Sequence, residues 1–346
     1  MIPNIEMTKG DFKMTWKLWP AVFSLFLSPL IQAAPEATLT VYSERKDHLI
    51  KPVFEAYTKK TGVKVTFLTD NTATLIQRIQ AEGKKSPADI LLTVDAGNLW
   101  SAAQSGLFEA VKSEALEKNV PANLRDPGNQ WFGLSQRART IVYNPTKVKP
   151  EEIKSYENLA EPLFKKRLCL RSSKKVYNQS LVAMMIAEKG EERVEKTVKG
   201  WVQNLAAPVF QDDTAVIEAV AAGQCDVGVV NTYYYGRLLE KNPKLAAKLF
   251  WPGKDVGGVH VNVSGAGILK TAPHKAEAVK FLEWLSSPEA QGQFAEVNHE
   301  YPVNPAVSAS SFVQSWGKFD ATLINMAKAG ELQEKAIKLM DRVGYN

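Results

Sequence analysis

The chain has 346 residues, 45% of them hydrophobic and 23% charged, with a formal net charge of +6. That composition excludes a disordered chain and leaves room for two domains with sizeable cores. The basic excess is spread along the chain without a long Lys/Arg block, so it favours an anionic ligand weakly and makes no case for nucleic acid.

The first feature in chain order is an export signal. Lys13 and Lys17 precede an apolar stretch from Trp19 to Ile31, and Gln32-Ala33-Ala34 follows. A basic start, an apolar centre of about a dozen residues and small exit residues predict a secretory signal peptide over residues 1–33, with Met14 as its conventional start. The stretch is short for a membrane span, which needs about 20 residues. No Cys follows it to carry a lipid anchor. The mature protein is expected to be exported to the periplasm and soluble.

Ala37 to Tyr42 then predicts a strand, Leu49 to Thr61 an amphipathic helix closed by Gly62, and Val63 to Leu68 a second strand. Thr72 to Glu82 predicts a helix closed by Gly83, and Asp89 to Val94 a third strand. Leu99 to Gly106 and Ser113 to Lys118 read as helical. Strand and helix alternate at βαβ spacing, so the fold class is α/β with doubly wound, mainly parallel sheets. The same order returns loosely from Asp213 to Val230, which suggests a second lobe of similar architecture. Trp131 to Tyr143 and Val259 to Leu269 are alternating stretches suited to cross between the lobes. A chain that crosses twice makes a hinged clamshell with its cleft at the strand ends. The N-lobe is placed at residues 34–137 with 265–310 returning to it, and the C-lobe at 138–264 with 311–346 packing on it. Ala276 to Leu285 and Leu323 to Val343 are helical in pattern.

Two cysteines, Cys169 and Cys225, each begin a strand-like run. Export to an oxidising compartment allows a disulfide between them, with two buried free thiols as the alternative. Of the four histidines none has a zinc-protease spacing, and there is no nucleophile elbow, phosphate loop or dinucleotide fingerprint. An enzyme therefore has least support.

Phenols and arginines remain. Asn231-Thr232-Tyr233-Tyr234-Tyr235-Gly236 follows an apolar strand and opens a helix. That is where ligands bind in open α/β sheets. The bland alternative is an aromatic lobe surface with incidental hydroxyls. Phenolate oxygen is a hard anionic donor that matches a small, highly charged cation such as Fe(III).

Here the chain resembles the periplasmic iron(III)-binding receptors of ABC importers, two-lobed clamshells of the type II class. The resemblance covers almost the whole mature chain. It runs through Tyr42-Ser43 and Arg45, Ser86-Pro87-Ala88-Asp89, Trp131-Phe132-Gly133 with Arg137-Ala138-Arg139 and Tyr143, and Arg171-Ser172-Ser173 with Tyr177-Asn178. It continues through Asn231-Thr232-Tyr233-Tyr234, Val261-Asn262-Val263-Ser264-Gly265 and Glu300-Tyr301-Pro302-Val303. The resemblance implies Tyr143, Tyr233 and Tyr234 as iron ligands, with Tyr235 as packing. It implies Arg45 as holder of a synergistic anion such as carbonate or bicarbonate, with Arg139 and Ser172 as further anion contacts. Lys46 stands where some relatives carry a His ligand, and Val94 where others carry Glu, so the expected site is dominated by tyrosine. The implied protein is a monomeric receptor, not an enzyme, that passes Fe(III) to an inner-membrane ABC permease. The runner-up is a receptor of the same fold for an organic or inorganic anion, without metal.

Overall fold

The computed structural model describes Gly10 and residues 38–346. The signal-peptide expectation, residues 1–33, lies outside the described residues. The described residues 38–346 all belong to one unit.

The first half winds as expected: β1 (Thr38–Ser43), α1 (Asp47–Thr61), β2 (Lys64–Thr69), α2 (Thr72–Glu82), β3 (Ile90–Thr93) and α3 (Ala96–Gln104). Local chemistry sets the boundaries. Gly62 takes a left-handed φ of 76° and its N–H reaches the Thr58 carbonyl, closing α1. Asn71 accepts the Thr74 N–H to start α2, and Asp95 accepts the Gly97 N–H to start α3. After α4 (Glu114–Asn119), the long β4 (Phe132–Tyr143) leaves this lobe.

The second half contains β5 (Leu168–Cys169), α5 (Val176–Lys189), α6 (Glu191–Gln203), α7 (Asp213–Ala221), β6 (Val227–Asn231), α8 (Thr232–Lys241) and β7 (Lys248–Phe250). The chain returns along β8 (His260–Ile268) to α9 (Lys275–Ser286), α10 (Pro288–Glu296) and β9 (Tyr301–Pro302). It ends with α11 (Ser311–Gln314), α12 (Ala327–Glu331) and α13 (Gln333–Arg342).

The sheet runs β2-β1-β3-β8-β4-β6-β5, with β7 and β9 also on β4. β1 is parallel to β2 and β3, and β5 to β6, as βαβ returns require. The antiparallel ladders all involve β4 or β8. These are the two crossing strands, which join the lobes of a clamshell fold. Their mutual ladder runs from Phe132↔Ala266 to Arg139↔His260 and is interrupted by a bulge between Gly133 and Ser135. Beyond the bulge, the Tyr156 hydroxyl donates to the Arg139 carbonyl and accepts the His260 N–H at 3.1 Å.

One apolar core gathers β1, β3, α1 and α9 around Phe54, Leu91, Phe132 and Phe281. The second lobe has two cores on opposite faces of its sheet. Ile141, Tyr143, Leu168 and Val229 face one of them, while Val142, Cys169 and Val230 face the other, the period-2 alternation of strands. The segment 311–346, expected on the second lobe, divides. Met326, Ala327 and Ala329 join the first core, and Ala336, Leu339, Met340 and Tyr345 join the second lobe. The single helical pattern from Leu323 accordingly breaks into α12 and α13, with Gly330 seated so closely on Trp100 that a Cβ would lie 2.5 Å from the Trp100 Cβ.

Cys169 and Cys225 are joined as a disulfide, with Cα atoms 5.8 Å apart, tying β5 to the turn before β6. Among the described residues no helix is long and apolar enough to cross a membrane. The disulfide closes a loop of 56 residues, and loop-closure entropy assigns such a link about 4 kcal/mol. Reduction should lower the denaturant midpoint correspondingly, measured on the same protein with and without reductant. An unchanged midpoint would mean the bond contributes nothing to the second lobe.

Candidate metal and anion site

Between the lobes lies a cleft of about 410 Å³. Arg45, Lys46 and Glu300 line it from the first lobe, and Arg137 and Ser264 from the crossing strands. Arg171, Tyr177, Tyr233, Tyr234 and Arg237 face them from the second lobe.

The tyrosine pair is placed by what precedes it. β6 is buried along its whole length and ends at Asn231, so Thr232 to Tyr234 form the first turn of α8 at the cleft. The Tyr233 and Tyr234 rings stand 4.3 Å apart, tilted by 32°. A third phenol, Tyr177, comes from the first turn of α5. Burial pushes the Tyr177 hydroxyl up to about 12 against the pull of Arg137. Burial raises Tyr233 as well, and its phenolic neighbours Tyr177 and Tyr234 add to the rise. Tyr177 and Tyr233 are therefore neutral phenols at ordinary pH.

Tyr143, expected as the third ligand, is elsewhere. It pairs with Val227 at the start of β6, whereas Tyr233 lies beyond that strand's other end. It follows the cleft-lining Arg137 by six residues of extended β4, roughly 20 Å at strand rise. Its ring joins the apolar core of the second lobe. Strand geometry thus puts Tyr177, and not Tyr143, in the cleft lining.

Arg45 stands as expected. It is 2% exposed, its Nη1 donates to Glu300 at 2.8 Å and to Ser135 at 3.0 Å, and its plane lies 4.5 Å over the Phe294 ring. Its Nε and Nη2 have no partner. Arg137 Nη2 and Arg171 Nη1 also lack a hydrogen-bond partner, standing 4.0 Å from Asp95 and 3.7 Å from Asp213, and Arg171 Nε has none. Buried donors without acceptors are costly, so this is a cleft shaped for an anionic group. Its lining carries six cationic side chains and three carboxylates.

Arg139 and Ser172 do not face this space. Arg139 pairs with Asp213 at 2.9 Å and donates to Asn178 at 2.6 Å, to Asn231 at 3.1 Å and to the Val229 carbonyl at 3.1 Å. Asp213 also accepts the Asn231 N–H at 2.9 Å. Arg139 is therefore committed to fixing the end of β6, and with it the start of α8. The Ser172 hydroxyl accepts the Lys174 N–H at 3.3 Å within its own turn. That turn is pinned from the C-terminal segment, where the Tyr345 hydroxyl donates to the Arg171 carbonyl at 2.6 Å and accepts from Asn178 at 2.8 Å.

Asp47, the first residue of α1, accepts from Thr69 at 2.5 Å. Asp95 is wholly buried away from the cleft lining, accepting from Ser180 at 3.0 Å, Asn262 at 2.8 Å and Gly97 at 2.7 Å. Among the described residues no group of three or more His, Cys, Asp or Glu could hold a metal.

Among the cleft residues that the sequence did not mark as site members are Arg137, Arg171, Tyr177, Arg237, Asn298 and Glu300. For Tyr177 the available signal was its place a few residues after a strand at the opening of a helix, the same context that singled out Tyr233. The arginines carry no such local signature.

Residues 42–292 match the bacterial extracellular solute-binding protein family. The chain belongs to that family. It is 44% identical over 313 residues to iron uptake protein A1 of Synechocystis sp., covering 89% of this chain and 87% of that protein. Among solved structures it is similar to the Trichodesmium IdiA (FutA) protein in complex with iron and citrate ligands. There the TM-score is 0.86 at 44% identity, covering 90% of this chain and 100% of that one. Ferric iron-binding protein A of Mannheimia haemolytica in an open conformation matches with a TM-score of 0.83 at 38% identity, over 89% and 99% of the two chains.

Asp95 gives this region a pH signature. Burial raises its carboxyl from 3.8 to about 6, against the pull of Arg137. A raised carboxyl favours the folded state while protonated, so that contribution is present below pH 3.8 and is lost as pH rises through about 6. Two pKa units correspond to about 3 kcal/mol. Asp95→Asn should flatten the stability profile between pH 4 and 6, measured by denaturant unfolding. A slope equal to that of the unaltered protein would exclude Asp95 as its source.

Proposed function

We propose that this protein is a periplasmic receptor for ferric ion that takes the metal through the phenolates of Tyr177, Tyr233 and Tyr234. The observation that carries the reading is the convergence of three phenols from two helix starts on one cleft lined with unpartnered arginine donors. Hard oxygen donors suit a small trivalent cation, and three phenolates cancel its charge. The metal displaces the phenol protons as it binds, as metals do with acidic ligands.

Arg45 supplies the anion site. Its free Nε and Nη2 edge suits a planar oxyanion such as carbonate, or a carboxylate of the kind present with iron in the Trichodesmium relative. In this reading the tyrosines sit on the second lobe and Arg45 on the first, so metal and anion together favour the closed clamshell. The chain is a binding protein rather than a catalyst. It is exported by residues 1–33, acts as a monomer and delivers iron to an inner-membrane ABC permease. The lobe division follows the proposed limits, N-lobe 34–137 with 265–310 and C-lobe 138–264, with 311–346 shared between them.

A second reading, an anion receptor without metal, is favoured by the excess of cationic side chains in the cleft. Colour separates the two. Iron added to chelator-stripped protein should produce a red to orange phenolate charge-transfer band, strengthened by bicarbonate or citrate. Tyr233→Phe with Tyr234→Phe should abolish that band, Tyr177→Phe should weaken iron binding at least tenfold, and Tyr143→Phe should leave both unchanged. Loss of the band in Tyr143→Phe alone would return that residue to the ligand set. No band in the unaltered protein, with citrate bound all the same, would establish the anion reading.

A further inference from the structure

The two lobes meet at a second place beside the cleft. The turn after α10, Asn298-His299-Glu300, belongs to the first lobe, whose core holds Phe294 on one side of the turn and Val303 on the other. It touches the helix that carries the tyrosine pair. The Arg237 guanidinium of α8 donates to the Asn298 side-chain oxygen. His299 Nε2 lies 3.0 Å from a Glu240 carboxylate oxygen on the same helix. Gly236 of α8 is packed chiefly against the Trp316 ring, 2.7 Å from where a Cβ would stand, with the His299 Cβ next at 3.3 Å.

From the turn the contacts continue into the first lobe. Asn298 Nδ2 donates to Glu300 Oε1 at 2.6 Å, and Glu300 Oε2 accepts from Arg45 at 2.8 Å. Asn298 and Glu300 are 5% and 3% exposed, so these bonds are made away from competing water. At its other end, Arg237 lies 5.2 Å over the Tyr233 ring and 5.8 Å over the Tyr234 ring. A continuous polar chain therefore runs from the tyrosine pair, through Arg237, Asn298 and Glu300, to Arg45. His299 holds a φ of 53°, a left-handed conformation that a side-chain-bearing residue keeps only when its surroundings impose it.

We propose that the Asn298–Glu300 turn is an interlobe latch, and that Asn298 is the positioning residue that joins the tyrosine helix to Arg45 when the clamshell closes. The inference rests on the ferric reading for its consequence, retention of iron, but not for its geometry, which rests on the Arg237–Asn298–Glu300–Arg45 contacts. Asn298 has the right chemistry for the junction. Its carboxamide accepts from a cation with one atom and donates to a carboxylate with the other, which neither Asp nor Lys can do. The latch holds the lobes together without contacting the metal, so it governs escape rather than capture.

The test uses the full-length mature protein. Exposed Lys64 of the first lobe and Lys244 of the second are replaced by Cys and spin-labelled, the native cysteines being bonded to each other. Distances are measured with and without iron, and iron loss to an excess chelator is timed separately. Asn298→Ala should broaden the interlobe distance toward longer values in both states and speed iron loss about tenfold, with the association rate unchanged. His299→Ala, which removes the Glu240 contact and the ring's edge contacts with Phe312 and Trp316 but leaves the Arg237–Asn298–Glu300 chain, should shift both readouts the same way by a smaller factor. Unchanged interlobe distances in both variants would overturn the latch, whether or not iron binds. An unaltered protein that shows the distances expected but takes up no iron would instead refute the ferric reading and leave the latch standing.

Discussion

The cleft depends on one buried ion pair that never meets the ligand. Arg139 on a crossing strand and Asp213 at the head of α7 hold each other at 2.9 Å, and both also grip Asn231. The pair is nearly free of water, with side chains 2% and 0% exposed. Breaking such a pair by removing one partner leaves an uncompensated buried charge, at a cost of about 3–5 kcal/mol. Its benefit is positional. The end of β6, the opening of α8 and, through Asn178, the turn leading to Tyr177 are all fixed by the same guanidinium. The phenols can then be presented from helix starts without each needing its own support.

Around that fixed frame the cleft is left deliberately unsatisfied. Arg45, Arg137 and Arg171 are each at least nine-tenths buried and each retains nitrogen atoms without an acceptor. Glu300 moderates this: burial raises its carboxyl, but the charges of Arg45 and Arg137 outweigh that and hold it below the usual range. The result is a site with strong directional donors and a restrained net charge. Such a site rewards a ligand that brings oxygen acceptors with it, and it is poorly matched to a bare cation.

Much of the fold was legible in the sequence. Glycines at 62 and 83 mark helix ends, and the two long alternating runs are the crossing strands, whereas the caps at Asn71 and Asp95 emerge only from the structure. The site was legible only where local context determined orientation. Tyr233 and Tyr234 follow a buried strand and open a helix, so their placement follows from the chain beside them. Tyr143 looked similar by type and order, but orientation along a strand is set by counting residues from the cleft, which requires knowing where the lobes divide. Arg139 shows the same limit. Whether an arginine faces a ligand or a buried carboxylate depends on Asp213, 74 residues away.

The crossing strands also fix where the molecule can bend. At Arg139 and His260 the Tyr156 hydroxyl bolts the two backbones together. At the other end the ladder is broken by the bulge between Gly133 and Ser135, and Gly265 lies opposite Gly133. Both glycines sit against carbonyl oxygens so closely that a side chain would collide, 2.7 Å from Leu124 O and 2.5 Å from Phe132 O. The paired strands thus have one end clamped by a side chain and one end broken in register. The irregular rungs are those nearest the first lobe, and Arg137 lies between them and the clamp.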